Sequence, residues 1–169
     1  MLRRKYITFR LSMWLVLCLL SFNVSAIDVL SVRTIGLDLA ADIASAAIKE
    51  CRKAGYQVSV VVVDRNGVVQ VAMRDDLASR FTLQIAEEKA NAVILSGVNS
   101  SELNKNRADI KQELNHIDGL IVMAGGVQIV AGGHNIGAIG ISGAPGGDLD
   151  EDCALKTLKQ FAERLEFAE

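Results

Sequence analysis

The spacing of apolar positions along the chain changes several times, and each change marks an element. Over 31–54, Ile35, Leu39, Ile43, Ala46, Ala47 and Cys51 recur at three- and four-residue intervals, with Asp38, Asp42 and Lys49 between them. That is the stripe of an amphipathic helix, and Gly55 stands where a left-handed residue ends one. Next, VSVVVVDRNGVVQVAM sets two valine-rich runs either side of Asn66-Gly67. That dipeptide suits the positive φ angles of a tight primed hairpin turn. The unbroken run 60–63 predicts a strand covered on both faces.

Helical spacing returns with Phe81, Ile85, Ala86, Ala90, Val93 and Ile94, with Ser79 as N-cap and Gly97 as the stop. A more polar helix is predicted over about 101–115, anchored by Leu103, Ile110 and Leu114. Three short strands follow, near 120–124, 127–131 and 136–142, joined by Gly125-Gly126 and by Gly132-Gly133-His134-Asn135. Such short connections permit only antiparallel neighbours. A closing helix over about 150–167 buries Leu155, Leu158, Phe161, Ala162 and Leu165. The order αββααβββα predicts an α+β domain with a five-stranded antiparallel sheet and helices, in profilin/PAS-like layering.

The first 26 residues read differently. A basic opening runs into an apolar stretch and ends in Val24-Ser25-Ala26, the small-x-small form of a signal-peptidase site. The apolar run is too short for a spanning helix of about 20 residues. Residues 1–26 are therefore expected to be a cleaved signal peptide, leaving 27–169 as a single domain, periplasmic or secreted, with no membrane insertion after cleavage. Cleavage takes four of the 18 basic residues and none of the 20 acidic ones, moving the formal charge from −2 to −6. A mildly acidic domain has no electrostatic footprint for nucleic acid. Export also exposes Cys51 and Cys153 to oxidation. If the first and last helices pack antiparallel, the two thiols come close enough to pair, the alternative being two buried free thiols.

The glycine-rich stretch 132–153, GGHNIGAIGISGAPGGDLDEDC, invites a phosphate-loop reading. Asp148, Asp150, Glu151 and Asp152 would repel an anion there, and the glycines match neither GxGxxG nor GxxxxGK[ST]. A calcium loop fails as well, because its sixth position is Cys153 and its twelfth Lys159. The acids read instead as caps and dipole partners of the last helix, with Asp148 and Glu151 spaced as in a capping box. No GxSxG elbow supports a hydrolase, and no HxxxH or CxxC pair supports zinc.

The stretches VSVVVVDRNGVVQVAMRDD, AEEKANAV, AGGVQIVAGGHNIGAIGISGA and DEDCA, in that order, resemble the GlcG/HbpS haem-binding protein family, which includes the C-terminal domain of PduO. Gln128 stands where the family more often has proline, and Asp76-Leu77-Ala78 replaces an Asp-Gly-Ala-like triplet. The resemblance implies a homo-oligomer of up to an octamer, haem bound at or near a subunit interface, and a sensor protein as a further partner. Together with the signal-peptide reading and the lack of a catalytic motif, it leads to the expectation of an exported haem-binding protein, non-catalytic, that sequesters or senses haem. The alternatives are a small-molecule-binding accessory subunit without haem, or a haem-degrading protein.

Haem iron takes His, Met, Cys or Tyr, and propionates attract Arg or Lys. His116, in a loop before the third strand, is the favoured iron ligand; His134 lies in a tight connection and is expected to be solvent-exposed. Met123 is a softer alternative, with Met73 and Tyr56 behind it. For the propionates the candidates are Arg74 and Arg80, flanking the Asp75-Asp76 turn, and Lys89 on the following helix.

Overall fold

The protein is described by a computed structural model over residues 30–167; the expected signal peptide, 1–26, lies outside the described residues. The elements are α1 (Leu37–Lys53), β1 (Ser59–Asp64), β2 (Val69–Arg74), α2 (Thr82–Ser96), α3 (Ser100–Asn106), α4 (Lys111–Leu114), β3 (Gly126–Ala131), β4 (His134–Ser142), α5 (Gly147–Gln160) and α6 (Ala162–Glu166). The strands form one antiparallel sheet in the order β2-β1-β4-β3.

The valine run of β1 is explained by what covers it. Val60 and Val62, with Ile139 and Ile141 of β4, pack under α1 and α5 against Ile43, Ala47, Cys51 and Ala154. Val61 and Val63, with Ala138, meet Ala86, Ala90 and Val93 of α2 on the opposite face. Alternate side chains thus serve two cores, so no polar face interrupts the run. Helix α2 lies unusually near the sheet because β3 and β4 present glycine beneath it. A Cβ on Gly140 would stand 1.8 Å from the Ala86 carbonyl oxygen, and one on Gly126 would stand 2.4 Å from that of Lys89.

The fold is α+β with an antiparallel sheet, but the described sheet has four strands where five were expected. Segment 120–124 does not pair as a strand. The Ile121 N–H points to the Glu88 carbonyl of α2 (3.4 Å) and the Val122 N–H to Asn115 Oδ1 (2.7 Å). Gly125, at φ 123°, then turns the chain into β3. Backbone groups spent on a helix and a side chain are lost to a ladder.

Other boundaries shift for local reasons. Of Asn66-Gly67 only Gly67 takes a positive φ, 82°. The Asp64 side chain accepts from the N–H groups of Asn66 and Val68, and the register slips between Val62 and Val63. The hairpin therefore closes by a longer bulged loop, not a two-residue primed turn. Ser79 does not cap α2: its carbonyl accepts from Thr82, and the helix begins after Phe81. The polar helix divides into α3 and α4 around Arg107, and the last helix divides at Phe161. Gly97 ends α2 in the left-handed region as expected, at φ 67°.

Helices α1 and α5 pack together, with Cys51 in the last turn of one and Cys153 early in the other. Their Cα atoms are 5.5 Å apart across a separation of 102 residues, and the sulfurs face each other in bridging contact.

Candidate functional site

The charged residues that looked available for a ligand divide into those committed inside the protein and those left at its rim. Lys89 is committed. Its side chain is 1% exposed, and Nζ donates to Asp150 Oδ2 at 2.8 Å and to the Ile141 carbonyl at 3.0 Å. Asp150 also accepts from the Ala144 N–H at 2.9 Å. Burial pushes its pKa up, while the Lys89 ammonium pulls the other way.

Glu151, beside it, accepts from the N–H groups of Gly125 and Ser101 and from the Ser101 hydroxyl. These two acids were expected to cap the last helix. In the structure Gly146 occupies the N-cap position without a side-chain bond, and the carboxylates clamp α5 to α2, α3 and the segment before β3. Lys89, expected as a propionate partner, is thus buried and engaged by internal partners.

Arg74 and Arg80 bracket the loop after β2. Arg74 Nη1 donates to the carbonyls of Ala78 (2.6 Å), Asp75 (3.2 Å) and Asp76 (3.3 Å), holding the loop's shape. It also borders an open groove of about 380 Å³ with Ile48, Lys49, Arg52 and Met73. Sequence reasoning passed over buried Asp75, which accepts from both Arg52 Nε and Nη2; that pair holds its carboxyl below the usual carboxylate range. Arg80 is exposed, its guanidinium 4.0 Å above the centre of the exposed Phe81 ring.

His116 and Met123 belong to the chain between α4 and β3, which lies against the outer side of α2. Asn91 Nδ2 donates to the Gly119 carbonyl at 3.1 Å and fixes the turn there. Between them is an open groove of about 430 Å³, bordered by Gln84 and Glu88 of α2 and by Asn115, Ile117, Asp118 and Leu120. His116 is exposed beside it, with Nδ1 2.8 Å from the Gln112 carbonyl. A proton on Nδ1 satisfies that contact and leaves Nε2 as a free acceptor, the arrangement in which a histidine ligates a metal. Met123 is 45% exposed, in the unpaired segment that was expected to be a strand. His134 is exposed at the start of β4.

The described surface does not bring these candidates into one cavity. His116 and Met123 lie on the turn segment beyond α2, Arg74 lies in a groove between α1 and edge strand β2, and Lys89 is interior. Among the described residues no cluster of three or more His, Cys, Asp or Glu could hold a bare metal ion, and no helix is long and apolar enough to cross a membrane.

Fold and surface together define an α+β domain whose central strands are covered by helices and whose ligand-sized spaces are open grooves at its rim. The chain belongs to the HbpS-like family: the family model described as haem degrading protein HbpS-like matches residues 35–159. Among solved structures, a double mutant of HbpS from Streptomyces reticuli is 35% identical, with a TM-score of 0.74 over 80% of this chain and 92% of that one. Protein ORFY of Klebsiella pneumoniae is 25% identical, with a TM-score of 0.74 over 81% and 97%. The PduOC:Heme complex, 22% identical with a TM-score of 0.66 over 75% and 94%, shares the fold. No curated protein matches significantly.

Proposed function

We propose that the protein is an exported haem-binding protein, periplasmic or secreted, that sequesters or senses haem as a homo-oligomer and is itself non-catalytic. Membership of a family described by haem chemistry supports a haem ligand. The observation that carries the reading is His116, exposed, with Nδ1 held by the Gln112 carbonyl and Nε2 free.

The donor set fits haem in part. His116 would hold the iron through Nε2, and Met123 on the same segment would supply a thioether donor or an apolar contact. Ile117 and Leu120 offer apolar surface on one side only, so the opposite wall comes from another copy of the chain. Arg80 remains as a rim cation for propionates; Arg74, in a separate groove, would meet them only from another copy of the chain, and buried Lys89 does not fit. Bound haem supplies an iron centre able to exchange ligands or electrons.

Haemin titration of the chain from residue 27 tests this. A saturable Soret band is expected, weakened about tenfold or more in His116→Ala and accompanied by a mass in solution above that of one chain. No spectral change at stoichiometric haemin would remove the proposal. Loss of the Soret band under reductant and oxygen would overturn its non-catalytic part.

A further inference from the structure

A second groove, separate from the His116 turn, arises where the polar helix breaks. Leu103 of α3 anchors that helix, 5% exposed, in a small cluster with Ala92 and Val122. At Arg107 the backbone leaves helical geometry (φ −123°, ψ 39°), and the chain restarts as α4. The break opens a space of about 450 Å³ between the end of α2 and the α3–α4 pair, walled by Leu95, Val98, Leu103, Ile110 and Leu114, with Arg107 at its edge. A volume of this size falls within the usual range for small-ligand sites.

The chemistry of the lining restricts what fits. Arg107 is the only charged residue that lines the space, and its partner Asp109 stands outside the lining. The other polar side chains are uncharged, and one of them, Ser96, already donates its hydroxyl to the Ala92 carbonyl at 2.8 Å. Arg107 Nε donates to Asp109 at 3.2 Å, while its two Nη nitrogens bond to no described residue. An apolar trough with one cation carrying free donors at its lip is complementary to a molecule with an apolar body and one anionic end. Bare phosphate would gain nothing from the walls, and a neutral hydrocarbon would leave the guanidinium unused.

We infer that this groove between α2 and the α3–α4 pair is a binding site for a small apolar monocarboxylate, its tail against Leu95, Ile110 and Leu114 and its carboxylate on Arg107. His116 does not line this groove, although both adjoin α4.

Calorimetric titration of the whole protein with decanoate tests the inference, with decanol as the uncharged probe. One site per chain is expected, weakened about tenfold or more in Arg107→Gln, since a charge-assisted hydrogen bond is lost. It should weaken likewise in Leu95→Gln, a position 55% exposed where a polar residue is tolerated in the fold. His116→Ala should leave decanoate affinity unchanged, so failure here and failure of the haem reading are distinguishable. Absence of decanoate binding overturns the inference, as does equal affinity for decanol or an unaltered affinity in Arg107→Gln. Loss of decanoate binding in His116→Ala would overturn the separation of the two sites.

Discussion

Replacing Lys89 with methionine decides whether this lysine serves structure or ligand. In the parent, both partners of the Lys89–Asp150 pair are nearly sealed from water, at 1% and 3% side-chain exposure, and 2.8 Å apart. Methionine fills much of the same space but leaves Asp150 with the Ala144 N–H as its remaining described partner. Breaking a buried pair from one side costs about 3–5 kcal/mol. At about 2–4 °C per kcal/mol for a chain of this size, the melting temperature should fall by about 6–20 °C.

Burial already raises the Asp150 pKa, and losing the ammonium raises it further. The variant's stability should therefore drop as pH rises from about 4, the unfolded carboxyl value, towards 7. Urea denaturation of the parent, Lys89→Met, Asp150→Leu and the double variant at pH 5 and 7 supplies a double-mutant cycle. The double variant should recover much of the loss, because a packed apolar pair leaves no stranded charge. A Lys89→Met cost below about 1 kcal/mol, or a cost unchanged by Asp150→Leu, would refute the buried-pair account. Weaker haemin binding by still-folded Lys89→Met would return Lys89 to the ligand set.

Gly140→Ala should destabilise by about 1–3 kcal/mol or more in thermal denaturation, because its Cβ would lie 1.8 Å from the Ala86 carbonyl oxygen and α2 must retreat. Gly36→Ser, at the N-cap of α1 with nothing within 4 Å, should be neutral or slightly stabilising and serves as control. Mass spectrometry should show that reduction adds two hydrogen atoms across Cys51 and Cys153, and reduction should lower stability by about 2–4 kcal/mol; no mass change means free thiols. The depressed Asp75 pKa gives stability that is present above its unfolded value of about 3.9 and lost as pH falls through the lower folded value. Asp75→Asn should therefore flatten acid denaturation below pH 4, and an unchanged acid limb would exclude the Arg52 pair as its source.

Much of the fold was legible because covering elements leave periodic traces. The two-sided burial of β1 shows as four consecutive valines, and the stripe of α1 and the stop at Gly97 appear where local geometry demands them. The missing strand was not legible. Segment 120–124, LIVMA, has the composition of a strand, and only tertiary partners, Glu88 and Asn115, decide that its N–H groups leave the sheet. The helix break at Arg107 left equally little trace, since no glycine or proline marks it.

The candidate site was less legible for a related reason: a charged residue's role depends on what is folded over it. AEEKANAV presents Lys89 as one charge on a helix with Glu87 and Glu88 beside it, and nothing local separates the buried ammonium from its solvated neighbours. The separating signal lay elsewhere, in the small residues. Ala86 and Ala90 bring α2 onto Gly126 and Gly140, and at that close approach Lys89 is carried inward to Asp150 of DEDCA. The four stretches behind the family resemblance are therefore largely one mechanical unit, a helix docked on glycine and locked by a buried ion pair. The two residues proposed as ligand contacts, His116 and Arg107, lie outside that unit, where their surroundings leave a free ring nitrogen in one case and free guanidinium donors in the other.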